Sequence, residues 1–175
     1  MPSETEEFNT LTSRLNKAGI VDETYQWYGF ILGLISKGFS PSERSMMQLC
    51  AEFLNDNQPL PGALIAELTS LALESKIACD EHDSNILKFP DEKIPRQQRL
   101  ECLSDLAYGL TLALPIDVKK GKMEKISDPQ LLDHLRSLSE ISKVDKDAEF
   151  EENDLKDVLD YISTILLETF ENNKS

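Results

Sequence analysis

The chain is poor in the residues from which most active sites are built. Among 175 residues it has two histidines, His82 and His134, one tryptophan and three cysteines. Most acid–base and nucleophile constellations would have to be assembled from those two imidazoles or from carboxylates. No serine or cysteine lies in a nucleophile-elbow pattern, and no GxGxxG or GxxxxGK[ST] follows a strand to cradle a phosphate. Cys50, Cys79 and Cys102 are odd in number and far apart. That excludes a paired disulfide framework and a CxxC zinc signature, and points to reduced thiols in the cytoplasm. Basic residues are scarce too: 18 Lys and Arg face 32 Asp and Glu, a formal charge of −14. Such a surface repels the phosphate backbone, so direct nucleic-acid binding is not expected. The longest apolar run, around Trp27 to Ile35, falls short of the roughly 18 residues of a membrane helix. The start, Met1-Pro2-Ser3-Glu4-Thr5-Glu6-Glu7, is acidic where a secretion signal is basic and then apolar.

What is present is helical periodicity, with no sustained period-two alternation. The pattern predicts an all-α fold of about seven helices in two closely packed lobes of a single domain over 1–175. The N-terminal lobe covers about 1–87 and the C-terminal lobe about 95–172, separated by the proline-bearing, charged stretch from Ser84 to Pro95. Phe8, Leu11 and Leu15 stripe the first helix, which Gly19 ends. Asp22 is placed to cap the second, and Gly38 to end it. Ser40-Pro41-Ser42-Glu43 has the form of a capping box with proline at the first helical position, which would open the third helix there. Asn55-Asp56-Asn57-Gln58-Pro59 breaks that helix, a fourth begins near Pro61, Pro115 halts the fifth, Asp128-Pro129 opens the sixth, and Leu155 to Phe170 stripe the seventh.

One motif occurs twice. Tyr28-Gly29-Phe30-Ile31-Leu32-Gly33-Leu34 returns eighty positions later as Tyr108-Gly109-Leu110-Thr111-Leu112-Ala113-Leu114. Small residues at its second and sixth places let a neighbouring helix backbone approach closely. Tyr28, Gly29, Gly33, Tyr108 and Gly109 therefore form a helix-packing motif, either within the chain or between the subunits of a homodimer. Trp27 and Tyr25 flank it, and aromatic core packing is the simpler role for them than an aromatic-lined cleft.

The second feature is an acidic segment, Asp145-Lys146-Asp147-Ala148-Glu149-Phe150-Glu151-Glu152-Asn153-Asp154. An EF-hand loop starting at Asp145 would need glycine sixth and glutamate twelfth, where the chain has Phe150 and Lys156, so the EF-hand reading fails. What remains is a helix start rich in carboxylates, which its dipole favours. Asp145, Asp147, Glu149, Glu151, Glu152 and Asp154 are candidate contacts for a partner with a basic surface. His82, within Asp80-Glu81-His82-Asp83, offers oxygen and nitrogen ligands but reads more simply as a solvated helix end.

The order of these elements resembles the bacterial YecA/YgfB-like family, UPF0149. The likeness rests on Tyr28 to Leu34, Leu106-Ala107-Tyr108-Gly109-Leu110, the following helix, the acidic loop and the terminal helix, and it covers roughly Phe8 to Phe170. It implies a small, cytosolic, self-associating all-α protein with no enzymatic activity assigned. Some relatives carry a further cysteine-rich zinc module; this chain ends at Asn172-Asn173-Lys174-Ser175 and resembles the short, metal-free type, with neither metal nor cofactor expected. Leu110 and Ala113 stand where the family pattern has a large aromatic and a second glycine. The expected function is non-enzymatic: a homodimer acting on a protein partner, such as a transcription factor or an assembly partner, through its acidic surface. The alternative is a small-molecule or metal-binding protein, or an enzyme, using a cleft between the lobes near His82.

Overall fold

A computed structural model describes residues 4–174, with side chains from Phe8 to Lys174. Among the described residues there are seven helices: α1 (Glu4–Lys17), α2 (Thr24–Ser36), α3 (Arg44–Leu54), α4 (Gly62–Asp80), α5 (Arg96–Ala113), α6 (Pro129–Ser142) and α7 (Glu152–Asn172). The fold is all-α. The one sheet among the described residues is an antiparallel pair of two-residue strands, β1 (Ile116–Asp117) and β2 (Lys122–Met123), too short for sequence alternation to register.

The most extensive contact is between α2 and α5, which carry the two copies of the repeated motif. α2 is buried on every side from Trp27 to Ser36, as expected of a helix that is apolar all round. A Cβ on Gly29 would lie 2.3 Å from the Leu106 carbonyl oxygen, and one on Gly109 would lie 2.2 Å from the Gln26 carbonyl oxygen. Leu106 precedes Gly109 by three residues, and Gln26 precedes Gly29 by three. Each glycine thus seats a carbonyl of the other helix, the close approach at which Cα–H···O contacts form. One turn further on, a Cβ on Gly33 would meet the Ala113 methyl at 2.5 Å. The register advances together on both helices, so they run in the same direction, and the twin heptapeptides are the two halves of a single contact.

Around this seam lies one continuous apolar core, to which α1, α3, α4, α6 and α7 each contribute, with Leu11, Met46, Leu68, Leu138 and Ile162 among its members. Both halves of the chain share it. The stretch between α4 and α5 lies against this body: the Tyr28 hydroxyl donates to the Ile86 carbonyl (3.3 Å) and accepts from the Lys88 N–H (3.0 Å), and Phe89 packs edge-on to Tyr25.

Several boundaries fall where the sequence places them. Gly19 and Gly38 take positive φ (85° and 101°) just past α1 and α2, where a left-handed residue ends a helix at little cost only as glycine. Asp128 caps α6 by accepting the Gln130 N–H at 3.1 Å. Two expectations need correction. Asp22 does not cap α2; it takes φ 60° itself, and Glu23 is the residue before the helix. The third helix starts at Arg44 rather than at Pro41. Glu43 does reach back to the Ser40 N–H (3.0 Å), as a capping box would, but the bond closes a turn in front of the helix.

Tyr28 and Tyr108, equivalent in sequence, part company in space. Tyr28 is buried with both hydroxyl bonds made, whereas Tyr108 is 45% exposed. The correction is physical: α2 is covered on all sides, while α5 keeps one face toward solvent, and Tyr108 stands on it.

Candidate functional site

The acidic segment leads into α7 and is held against the start of α5. Arg99 lies four residues before Leu103 on the buried stripe of α5 and is only 5% exposed. Its guanidinium donates to both oxygens of Glu152 at 2.7 Å, and its Nε donates to the Ile94 carbonyl at 3.0 Å. This fork-to-fork geometry is the strong form of the ion pair. The hydrogen bonds from Arg99 hold the Glu152 carboxyl below the usual carboxylate range, and the same bonds raise Arg99. The Phe150 ring lies under two guanidinium groups, 5.1 Å from Arg96 and 5.6 Å from Arg99. Asp154 accepts the Glu151 N–H at 3.3 Å and so caps α7.

These contacts divide the six candidate carboxylates. Glu152, bound by Arg99, and Asp154, which caps α7 together with Glu151, are engaged within the chain although they too are exposed. Asp145, Asp147, Glu149 and Glu151 are exposed. Within the loop, Asp145 accepts the Asp147 N–H at 2.9 Å and Asp147 accepts the Gln97 side chain at 3.4 Å. The four outer carboxylates are therefore presented by a loop pinned at Phe150 and Glu152.

The acidic face continues beyond the loop. Lys146 pairs with Glu101 of α5 at 3.4 Å. One turn on is Asp105, which the sequence reading did not single out. Burial, then the neighbouring Glu101, push the Asp105 carboxyl up to about 6, and Glu23 and Asp22 from the start of α2 add to the rise, against Lys146. A folded pKa above the unfolded one means that this carboxyl causes no loss of stability below about pH 4, and that folding is progressively penalised as pH rises through about 6. Asp105→Asn is accordingly expected to leave stability unchanged near pH 3.5 and to raise it above pH 6. Since the group is partly exposed, solvent screening limits the gain to about 1 kcal/mol. Urea denaturation at the two pH values checks this.

The histidines lie elsewhere. His82, at positive φ just past α4, places Nε2 against the Glu171 carboxylate of α7. His134 of α6 sets Nδ1 3.3 Å from the Tyr161 hydroxyl, with Nε2 3.8 Å from Glu168. Among the described residues no group of three or more His, Cys, Asp or Glu is arranged to hold a metal ion. Burial raises all three thiols, Cys79 to about 11 and Cys102 to about 12, with Cys50 raised further, so none is a ready thiolate nucleophile at neutral pH. The glycines of the repeated motif meet within one chain, which takes them out of reach of a second copy. Among the described residues no helix is long and apolar enough to cross a membrane.

No family model matches the chain. Full-length similarity to individual proteins is nevertheless present. A UPF0149 protein of Pasteurella multocida strain Pm70 is 24% identical over 161 residues, 90% of this chain and 87% of the relative. One from Haemophilus influenzae strain PittEE is 28% identical over 163 residues, covering 90% and 86%. One from Aliivibrio fischeri strain MJ11 is 27% identical over 178 residues, covering 92% and 86%.

Proposed function

This chain belongs to the UPF0149 family, and from its surface we propose a non-catalytic interaction protein of the bacterial cytoplasm that docks a basic surface of another protein on its acidic loop. The observation that carries this reading is the anchoring of the loop by Arg99 and Phe150, which holds Asp145, Asp147, Glu149 and Glu151 outward in a set arrangement. Carboxylates fixed before binding lose less side-chain entropy on association than mobile ones, and they steer a cationic partner at modest salt. Asp105, with a pKa of about 6, extends the same face, and a cation placed over it would favour its ionised form. A DNA-binding regulator is one target of this chemistry, because an acidic protein can cover the basic surface that otherwise grips phosphate.

A homodimer belongs to this reading as well. With the repeated motif occupied inside the chain, its seat would be another face, and the exposed Leu73 and Ile77 (50% and 54%), one turn apart on α4, favour that one.

The test is capture of partners from the native cells by the tagged chain and by the variant Asp145→Asn, Asp147→Asn, Glu149→Gln, Glu151→Gln, each treated with nuclease. The expected outcome is a basic protein retained by the parent chain at low salt, released as salt rises and lost from the variant. Equal retention by both, or retention indifferent to salt, contradicts the proposal.

A further inference from the structure

A polar cavity of about 290 Å3 opens between the end of α2, the start of α6 and the last turns of α7, away from the acidic loop. Lys37, the residue that closes α2, lines it. This lysine is 9% exposed, and its ammonium has neither a hydrogen bond nor an ion pair among the described residues. Two more polar groups line the same space. The Nε2 atom of His134 is buried and makes no hydrogen bond among the described residues, with the Glu168 carboxylate 3.8 Å away. The Leu131 N–H, in the first turn of α6, has no partner among the described residues: Asp128 takes the Gln130 N–H and closes the turn with Leu132. The N-terminus of a helix adds partial positive charge at that point.

We propose that this cavity is a binding site for a free α-amino acid. Its carboxylate is received by the Lys37 ammonium and the Leu131 N–H. The opposite sign is present on the same walls in Asp128 and Glu168, with Glu124 and Lys125 also lining the cavity. These carboxylates disfavour a dianionic phosphate and suit the ammonium of a zwitterion. The volume lies at the small end of the range of ligand pockets, about 300–1,000 Å3, as a single amino acid requires.

The experiment is an amide NMR titration of the full chain with each of the twenty common L-amino acids, and with acetate and inorganic phosphate as partial probes. The expected result is saturable movement of the Leu131 amide signal with at least one amino acid, and weaker or no response to acetate and phosphate. In Lys37→Met, which keeps the apolar stem, affinity should fall about tenfold or more while the rest of the spectrum stays in place. Glu168→Gln, at a half-exposed side chain, provides a second reading if the lysine variant does not fold, and should weaken the amino acid more than acetate. The proposal is overturned if no amino acid moves Leu131 at about 10 mM, a concentration that detects even millimolar affinity. It is equally overturned if phosphate binds better than every amino acid, or if folded Lys37→Met or Glu168→Gln binds the amino acid undiminished. None of these outcomes depends on the acidic loop or its partner.

Discussion

Gly109→Ala is expected to lower the stability of the chain by about 3 kcal/mol or more, at the upper end of over-packing effects, although alanine is the better helix former by about 1 kcal/mol. The added methyl would sit 2.2 Å from the Gln26 carbonyl oxygen and 2.8 Å from the Phe30 nitrogen. Both atoms are backbone, so no side-chain rotation relieves the clash and α2 and α5 must move apart along their seam. Gly33→Ala separates the causes, because there the new methyl meets the Ala113 methyl at 2.5 Å, a side-chain atom. Adding Ala113→Gly should restore most of what Gly33→Ala loses, whereas no equivalent partner exchange rescues Gly109→Ala. Urea unfolding of the two single variants and the double variant measures this coupling. The loss should be independent of protein concentration, since the contact lies within one chain; a concentration-dependent loss would place the motif between subunits instead.

Arg99→Leu is expected to free the acidic loop while leaving the α2/α5 seam folded. The substitution keeps an apolar stem on the buried stripe but removes both bonds to Glu152, the bond to the Ile94 carbonyl and one of the two guanidinium groups over Phe150. Local opening of a segment depends on the few contacts that hold it. Hydrogen exchange in residues 145–151 should therefore quicken by about tenfold or more, with little change at Ile31 to Leu34. Partner binding should weaken in step, although every outward carboxylate is still present. Unchanged exchange in the loop would show that it is held by something other than Arg99.

The helices and their order were legible because apolar residues recur at three and four positions and because Gly19, Gly38 and Pro129 punctuate the chain in ways that only a few backbone conformations allow. The small-residue motif was legible as a close contact, but periodicity could not say which two helices met; the pairing of Gly29 with Leu106 and of Gly109 with Gln26 is a tertiary fact. Asp22 and the Ser40 to Glu43 box misled for a related reason. Both are good local caps, yet the chain uses them to turn before the helix instead of to start it. At the candidate site, composition alone picked out the carboxylates. It could not divide them, because the division depends on Arg99, a charged residue on an apolar stripe whose partner lies more than fifty positions away. That misplaced charge was the one available signal. Asp105 and Lys37 had none, since the burial that perturbs the first and the cavity that holds the second are made by elements distant in sequence.

The most direct test of the acidic surface is zero-length carbodiimide cross-linking of the chain in its native cell extract, which joins a carboxylate to a lysine only when the two are in contact. The account predicts links from Asp145, Asp147, Glu149 or Glu151 to lysines of one other protein, abolished by raised salt. Links to a partner that arise only from carboxylates outside this loop would contradict it.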